Sequence, residues 1–309
     1  MKILHSLEEF KTTGEPVFLA IGCFDGLHIG HRAVIQTAIH HAKNAGGQVW
    51  VLTFSPHPAK TFDPDHAPPL ISTQEQQLIL FQEMGIDGVI IQPFTSNFVR
   101  LEPAPFFDQL LATLAPLAGI FVGENWTFGK NRSGTTQTLQ RFCDEQNMIF
   151  SAHDSVCWKQ ERISSSRIRA AFKLGHISDL KKMLGREPST IGTVIHGEQI
   201  GRTLGFPTAN IEPQNELLPP RGIYAAHLRL GSRIYPAAAY LGKRATFHAD
   251  APPQLEVHLI NQSNIDLYGK TIEVSYIDYI RDDQTFASPE ALKTQINNDL
   301  NAIRRVLKI

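Results

Sequence analysis

Two histidines and three glycines stand close together near the start of the sequence, in Gly-Cys-Phe-Asp-Gly-Leu-His-Ile-Gly-His at 22–31. Glycine permits tight turns and a close approach of the backbone to a ligand, and a helix N-terminus after such a turn favours phosphate. His28 and His31 are three apart, so they share one helix face and can donate hydrogen bonds as negative charge builds on a phosphate. The pattern predicts a phosphate-handling site whose backbone includes three glycines: Gly22, Gly26 and Gly30.

The tetrapeptide His-Ile-Gly-His is typical of two classes of enzyme. One class activates an acid for transfer to tRNA, and the other joins a nucleotide to a small phosphate. The first class carries a lysine-rich second motif, whereas this chain has Ile-Ser-Ser-Ser-Arg-Ile-Arg at 163–169. Serine hydroxyls can cap a helix and bind phosphate, and arginine can form two bonds to a terminal phosphate. The second class is therefore favoured, with three further phosphate-binding candidates: Ser165, Ser166 and Arg169.

The overall charge of the chain also disfavours a large nucleic-acid partner. Its 309 residues include 29 Lys and Arg against 30 Asp and Glu, a formal net charge of −1. Such a balance gives no general attraction to nucleic acid or to acidic membranes. We therefore expect small-molecule substrates, no nucleic-acid partner and no membrane partner. The sequence leaves open whether copies of the chain assemble into a homo-oligomer.

The three cysteines and the N-terminus predict a cytoplasmic location. Cys23, Cys143 and Cys157 are odd in number and lack metal-ligand spacing, so they are interpreted as reduced thiols. The first ten residues have the composition of a folded segment and not of a signal peptide. No window of the sequence approaches the ~18 apolar residues of a membrane span.

The first half of the sequence alternates short apolar runs with helical patterns, and a helix is predicted directly after the first histidine motif. Strands are predicted at 17–22, 48–54, 118–123 and within 85–94. This alternation, with continuous apolar strands, is typical of an α/β domain with a doubly wound parallel sheet. Ligands of such sheets bind beyond the carboxyl ends of the strands, which is where the histidine motif lies.

The second half of the sequence changes character near residue 187. Short strand patterns, separated by Gly, Pro and Asn clusters, occur at 191–195, 222–230, 233–241, 255–260 and 271–280. Many short strands followed by one helical pattern, at 288–309, predict a small antiparallel β-barrel with a terminal helix. We therefore expect two domains, 1–186 and 187–309.

The most specific pattern of the second half is Gly-Thr-Val-Ile-His-Gly-Glu-Gln-Ile-Gly-Arg-Thr-Leu-Gly-Phe-Pro-Thr-Ala-Asn-Ile at 192–211. A glycine-rich turn can offer backbone amides to phosphates, and its candidates here are Gly192, Gly197 and Gly201. Thr208 and Asn210 alternate onto one side of an extended segment and supply oxygen ligands suited to Mg²⁺. The pattern predicts a second ATP site, with a magnesium ion bound by these two side chains.

Four segments of the first half together resemble the adenylyltransferase module of bacterial bifunctional riboflavin kinase/FAD synthetases. They are the two motifs already described, Thr-Phe-Ser-Pro-His-Pro at 53–58 and Val-Gly-Glu-Asn-Trp-Thr-Phe-Gly-Lys-Asn-Arg-Ser-Gly at 122–134. The resemblance implies a module that transfers AMP from ATP to FMN and releases pyrophosphate. It implies catalytic, ATP-handling roles for His28, His31 and Arg169. It also implies that Ser165 and Ser166 bind ATP.

The same resemblance implies a flavin-binding wall in the first domain. An isoalloxazine ring needs an apolar surface on which it can stack. The residues at the matching positions are His57, Phe62, Asn125 and Phe128.

The glycine-rich pattern of the second half resembles the riboflavin kinase signature. That family has a later strand glutamate, here Glu256, followed by Asp-Leu-Tyr-Gly at 266–269. The resemblance implies that Glu256 is the general base that takes the proton of the riboflavin 5′-hydroxyl. It also implies ATP as co-substrate of both steps, and riboflavin, FMN and FAD as substrates or products.

One segment departs from the family pattern. The family usually has Asn-Ile-Gly-x-x-Pro-Thr-Phe where this chain has Tyr-Leu-Gly-Lys-Arg-Ala-Thr-Phe at 240–247, so Tyr240 replaces the asparagine and Ala245 the proline. The expected function is a flavin-binding transferase with two activities on one chain, which phosphorylates riboflavin to FMN and then adenylylates FMN to FAD. Two alternatives remain: an FAD synthetase with an impaired kinase, and a non-catalytic flavin-binding protein on the same scaffold.

Overall fold

The computed structural model describes residues 1–197, 205–242, 254–262 and 265–309. The chain divides into two units, residues 1–164 and 165–309, each with a hydrophobic core of its own. Gly201 and most of the Tyr-Leu-Gly-Lys-Arg-Ala-Thr-Phe segment lie outside the described residues.

The first unit is built on a six-stranded sheet with the strand order β1-β4-β3-β2-β5-β6, in which every neighbouring pair is parallel. The strands are β1 (Lys2–Leu4), β2 (Val17–Ile21), β3 (Gln48–Ser55), β4 (Gly88–Pro93), β5 (Leu117–Gly123) and β6 (Ile149–His153). The helices are α1 (Ile29–Ala45), α2 (Pro58–Phe62), α3 (Gln74–Glu83), α4 (Ser96–Val99), α5 (Pro103–Thr113) and α6 (Thr136–Glu145). Two short 3₁₀ segments (Leu7–Glu9, Lys130–Arg132) and a hairpin of β7 (Cys157–Trp158) and β8 (Glu161–Arg162) complete the unit.

Strand β2 is buried along its whole length because helices cover both faces of the sheet. Successive side chains of a strand point to opposite faces. Accordingly, Leu19 packs in one core cluster with Phe107 of α5, whereas Ala20 packs in another with Ile35 of α1. This double burial explains the continuous apolar run of the strand.

The strand order places a topological switch point between β2 and β5. Ligands of doubly wound sheets bind in the crevice at the carboxyl ends of the strands beside such a point. The loop from Gly22 to His28 leaves the sheet at this position, because it connects the end of β2 to the start of α1. The helix ends at Gly46, which adopts the left-handed conformation (φ +63°) common at helix C-termini.

The second unit begins with two helices and continues as a closed antiparallel barrel. The helices are α7 (Ser165–Lys173) and α8 (Ile177–Leu184). The barrel strands are β9 (Ser189–Ile195), β10 (Ala209–Pro213), β11 (Gly222–Leu230), β12 (Arg233–Gly242), β13 (Gln254–Leu259) and β14 (Thr271–Arg281), in the spatial order β10-β13-β12-β11-β14-β9. Fully buried aliphatic side chains fill the interior, among them Ala239, Leu241, Leu255 and Val257.

A last helix, α9 (Pro289–Leu307), packs on the outer face of the barrel. Its Leu300 and Ile303 form a cluster with Ala225 of β11. A bidentate ion pair fastens the same helix, because Nη2 and Nε of Arg281 in β14 both contact the carboxylate of Asp299, at 2.7 and 2.9 Å. The side chains of the pair are only 16% and 7% exposed, so the pair is well shielded from solvent.

The predicted parallel sheet, antiparallel barrel and terminal helix are confirmed, and the sequence interpretation missed two strands of the parallel sheet, strand β10 of the barrel and the small hairpin. The missed strands β1 and β6 are the two edges of the sheet. An edge strand needs no continuous apolar run, and β6 has no fully buried residue. Within the described residues, no helix combines the length and the apolar character needed to cross a membrane.

Candidate active sites of the two units

The loop after β2 is held in a tight conformation by a buried carboxylate. Oδ1 of Asp25 accepts hydrogen bonds from the backbone N–H groups of Ile71 (2.9 Å) and Ser72 (3.2 Å). Gly26 has a φ of +78°, and a Cβ atom added there would lie 3.0 Å from the side chain of Ile71. Glycine is therefore required at this position for both backbone conformation and space.

The two motif histidines are brought together at the start of α1. His28 is the N-cap residue, and its Nδ1 accepts a hydrogen bond from the backbone N–H of His31 at 3.2 Å. The two rings stack, with their centroids 3.6 Å apart and an angle of 18° between their planes. Because Nδ1 of His28 is an acceptor, the proton of the neutral ring lies on Nε2, which remains a donor.

His31 is held as a neutral ring. Burial, followed by the neighbouring His28 and the positive charge of Arg162, keeps the pKa of His31 well below its usual value. A lowered histidine pKa means that the proton is lost at lower pH, so the ring is uncharged at neutral pH. Its buried Nδ1 has no hydrogen-bond partner among the described residues.

An aromatic cavity of about 440 Å³ opens beside this loop. Cys23 lines it, together with Phe62, Asn125 and Phe128 of the predicted flavin set. The rings of Trp126 and Phe128 stack, with centroids 4.7 Å apart. Further aromatic lining, which the sequence interpretation missed, comes from Phe54, Phe94, Phe98, Phe106 and Trp126.

Two of the predicted flavin residues have a second, structural contact. Nδ1 of His57 accepts a hydrogen bond from the backbone N–H of Ala59 at 3.1 Å and so caps α2, and the lining includes Pro58 and Ala59 but not His57. Nδ2 of Asn125 donates to Oε1 of Glu124 at 2.9 Å. Phe62 is 61% exposed, so its ring stands at an open edge of the cavity.

The second phosphate motif lies on α7, at the start of the second unit. Ser165 and Ser166 are its first two residues, and Arg169 follows one turn later. Arg169 is buried, with 8% of its surface exposed.

The barrel assembles its predicted site across three neighbouring strands. Asn210 of β10 lies opposite Glu256 of β13, which in turn lies opposite Tyr240 of β12. Leu255 and Val257, on either side of Glu256, point into the barrel. Because strand side chains alternate, the row of three polar residues is on the outer face.

Hydrogen bonds connect the predicted metal ligands to the predicted base. Oγ1 of Thr208 donates to Oε2 of Glu256 at 3.0 Å. Nε2 of Gln254 donates to Oε1 of Glu256 at 2.9 Å and to Oδ1 of Asn210 at 2.5 Å. The sequence interpretation missed Gln254, although its position two residues before Glu256 in a strand places both side chains on one face.

A cavity of about 370 Å³ lies between this outer face and α9. Its lining includes Thr208, Glu256, Tyr240 and Asp283, and the Arg281–Asp299 pair. The hydroxyl of Tyr240 donates to Oδ1 of Asp283 at 3.1 Å. Burial and then the charge of Asp283 raise the pKa of Tyr240 to about 12, so the hydroxyl keeps its proton.

The glycines of the barrel motif have different surroundings. Gly197 lies against the side chain of Asn210, and a Cβ atom there would overlap the amide group. Gly192 is a buried residue within β9, where a Cβ atom would meet the backbone of Glu212. Gly197 therefore leaves space for the Asn210 side chain of the predicted site, and Gly192 allows β9 and β10 to pack closely.

The oxygen donors of the barrel fit a magnesium ion. Thr208 and Asn210 offer a hydroxyl and an amide oxygen, hard ligands of the kind that Mg²⁺ takes alongside substrate phosphates. Within the described ranges there is no group of three His, Cys, Asp or Glu residues that could hold a metal by themselves. A magnesium ion that is also coordinated by the phosphate oxygens of a substrate needs few protein ligands. The two oxygen atoms of Thr208 and Asn210 are consistent with such a site.

Comparison with known proteins finds the same two-part organisation. The sequence model of the FAD synthetase family matches residues 10–167, and that of the riboflavin kinase family matches residues 184–307. A bifunctional riboflavin kinase/FMN adenylyltransferase of Escherichia coli strain K12 is 34% identical over 96% of this chain and 94% of its own length. One of Bacillus subtilis strain 168 is 32% identical over 96% and 94%. A crystal structure described as a macrolide-efflux protein from Streptococcus pneumoniae has a TM-score of 0.88 at 28% identity and covers 98% of both chains.

Proposed function

The chain belongs to the bifunctional riboflavin kinase/FMN adenylyltransferase family, and we propose how its side chains divide the two reactions of that family. It is an enzyme that phosphorylates riboflavin with ATP to give FMN, and then transfers AMP from ATP to FMN to give FAD and pyrophosphate. The adenylyl transfer belongs to the part matched by the FAD synthetase model, and the phosphorylation to the part matched by the riboflavin kinase model.

In the kinase reaction, Glu256 accepts the proton of the riboflavin 5′-hydroxyl as that oxygen attacks the γ-phosphorus of ATP. The new bond joins the 5′-oxygen to the γ-phosphorus, and the bond to the β-phosphate oxygen breaks to release ADP. The observation that carries this assignment is the 3.0 Å hydrogen bond from Thr208 to Glu256 at the wall of the 370 Å³ cavity. A carboxylate within hydrogen-bond reach of the substrate proton is suited to general base catalysis.

Thr208 and Asn210 would hold Mg²⁺ together with the ATP phosphates. When bound, the ion offsets the charge of the transferring phosphoryl group. Gly197 keeps the space that the Asn210 amide occupies, so we assign it to the ATP site through that contact. The same role for Gly192 and Gly201 rests on the sequence motif alone.

In the adenylyl transfer, a phosphate oxygen of FMN attacks the α-phosphorus of ATP in line, and pyrophosphate leaves. His28 and His31 donate hydrogen bonds to the α-phosphate oxygens. The loop containing Gly22 and Gly26, and the first turn of α1 with Gly30, bring backbone N–H groups close to them. The stacked arrangement of the two rings supports this assignment, since it fixes both donors relative to α1. The reaction needs no covalent intermediate, because positioning and charge stabilisation supply the catalysis.

The isoalloxazine ring of FMN would lie in the 440 Å³ aromatic cavity against Phe62 and Phe128, with Asn125 as its polar neighbour. His57 would act by holding α2 at the edge of this cavity. The roles of Ser165, Ser166 and Arg169 in binding ATP phosphates rest on the motif of α7.

We also propose domain limits of 1–186 and 187–309 and a cytoplasmic location. The riboflavin kinase match begins at residue 184, three residues before the proposed start of the second domain, which supports a boundary close to this position. The free state of all three cysteines supports a reducing compartment.

The test is one incubation of the purified chain with riboflavin, ATP and Mg²⁺, with the flavins separated by chromatography over time. The assignments predict that FMN appears first and FAD follows. They also predict that Mg²⁺ removal stops the kinase step. Formation of FAD from supplied FMN, without any product from riboflavin, would contradict the kinase assignments and leave the adenylyltransferase assignments standing.

A further inference from the structure

Gln254 is the one polar side chain that the structure describes as bonded to both Asn210 and Glu256, yet no motif includes it. A single nitrogen, Nε2, donates to Oδ1 of Asn210 at 2.5 Å and to Oε1 of Glu256 at 2.9 Å. Gln254 is the first residue of β13 and is partly buried. It stands opposite Gly242 of β12, which has no side chain to displace it.

The two hydrogen bonds fix the orientation of both amide groups. A charged carboxylate can only accept hydrogen bonds, so the part of Gln254 that faces Glu256 must be its NH₂ group. The same NH₂ group can only donate to Asn210, so the part of Asn210 that faces Gln254 must be its oxygen. The orientation of the Asn210 amide therefore follows from the negative charge of Glu256, through Gln254.

The other side of Asn210 supports the same orientation. A Cβ atom added at Gly197 would come closest to Nδ2 of Asn210, so this nitrogen faces the glycine and the oxygen faces away from it. The amide is thus enclosed by Gly197 on one side and Gln254 on the other. A carbonyl oxygen has two lone pairs, so it can accept from Gln254 and still coordinate a cation.

We propose that Gln254 is a positioning residue of the kinase, which holds the carboxylate of Glu256 and presents the oxygen of Asn210 to the magnesium of ATP. The proposal rests on the proposed roles of Glu256 and Asn210. Residues that orient metal ligands from outside the coordination sphere change metal affinity or activity by about 10–100-fold when they are replaced. Gln254 acts through its neighbours and does not itself need to touch the substrate.

The experiment compares Gln254→Leu and Gln254→Glu in the full chain. Both replacements are close to glutamine in size, but leucine removes the donor, and glutamate sets a second carboxylate against Glu256 and against the oxygen of Asn210. We expect kcat for FMN formation to fall about 10–100-fold in both variants, with the KM for riboflavin unchanged. We also expect a rise in the Mg²⁺ concentration that gives half-maximal kinase velocity.

A binding measurement without turnover provides the second readout. Calorimetric titration of ATP and Mg²⁺ into the flavin-free protein should show one class of sites weakened about tenfold or more in each variant. Formation of FAD from supplied FMN should stay at the parent rate, which shows that the first unit is intact, and a thermal unfolding profile like that of the parent shows that the barrel is folded. Gln214→Leu, at an exposed glutamine just after β10, is the matched control and should change neither activity.

The outcomes separate this inference from the assignments on which it rests. Full kinase activity in Gln254→Glu would overturn the inference, because a residue that merely fills space tolerates a replacement of equal size. A raised KM for riboflavin with unchanged kcat would also overturn it, since Gln254 would then bind the flavin. Glu256→Ala is measured in parallel. If Glu256→Ala leaves FMN formation intact, the assignment of Glu256 as the base is wrong. If Glu256→Ala loses kinase activity but both Gln254 variants keep it, only the inference about Gln254 is wrong.

Discussion

The aromatic cavity and the cavity beside the barrel are built in opposite ways. The cavity of the first unit lies at the carboxyl ends of a parallel sheet, and aromatic rings form much of its wall. The cavity of the second unit lies on the outer face of a barrel, and its wall includes a carboxylate base candidate and a buried ion pair. Under the proposed assignments, each wall suits its reaction, since adenylyl transfer to FMN needs a flat apolar surface for the flavin, whereas the kinase must remove a proton from a neutral alcohol.

The two sites also differ in how the sequence assembles them. His28 and His31 are neighbours in the chain, and one turn of helix is enough to stack their rings. Asn210 and Glu256 meet only because β10 pairs with β13 in one particular register. A slip of one residue would turn Glu256 into the barrel, so the kinase site depends on the whole strand pairing and the histidine site depends on a local turn.

The largest effect is expected for Glu256→Ala, which tests the kinase half of the comparison. General base catalysis contributes about 10²–10⁴-fold, so FMN formation from riboflavin should fall by that factor. Conversion of supplied FMN to FAD should continue at the parent rate, as measured by chromatography. Glu212→Ala, at an exposed glutamate of β10, is the control and should preserve both activities. Equal loss of both activities in Glu256→Ala would mean that the two sites are not separable.

The reverse pattern is expected for His28→Ala. Loss of one donor to a developing negative charge costs about 10²–10³ in kcat, so FAD formation should fall while FMN accumulates from riboflavin. The variant also loses the helix cap that His28 provides, so thermal unfolding is measured alongside. His40→Ala removes an exposed histidine of the same helix and should change neither rate. Undiminished FAD formation in His28→Ala would contradict the phosphate role of the histidine.

A moderate effect is expected for Tyr240→Phe, at the position where the chain departs from its family. The change removes the hydrogen bond to Asp283 at the wall of the kinase cavity. A hydrogen bond of about 1 kcal/mol corresponds to roughly a fivefold change. The KM for riboflavin should rise by that factor, with FAD formation from FMN unchanged. An unaltered KM would show that this tyrosine does not contribute to flavin binding.

The smallest effect is expected for Phe62→Ala, because this ring is already 61% exposed. Loss of one aromatic contact of about 0.5–1 kcal/mol should raise the KM for FMN roughly two- to fivefold. Ile79→Ala removes another exposed apolar side chain, one that is not part of the cavity wall, and is the control. If Phe62→Ala and Ile79→Ala had the same effect on the KM for FMN, Phe62 would not contact the flavin.

Local sequence patterns made the fold and the proximity of the two histidines predictable, whereas contacts that depend on strand pairing were not predictable from the sequence. A few consecutive residues are enough to predict the apolar strands β2 and β3 and the turn at Gly26. The contacts of Gln254 and of Tyr240 exist only after the barrel closes, and neither residue type suggests its role by itself. The aromatic wall was missed in part because Phe94 and Phe98 also pack among neighbouring rings, which is what core residues do.

The three thiols differ in ways that matter for chemical labelling. Cys23 lies at the edge of the aromatic cavity, but burial and the charge of Asp25 raise the pKa of its thiol to about 12. Cys143 is buried within the core, and burial raises the pKa of its thiol to about 12 as well. Cys157, on the hairpin that precedes α7, is the exposed one. Since thiolates react with maleimides and thiols do not, a fluorophore can be attached at this hairpin in the unaltered protein, without first removing the other two cysteines.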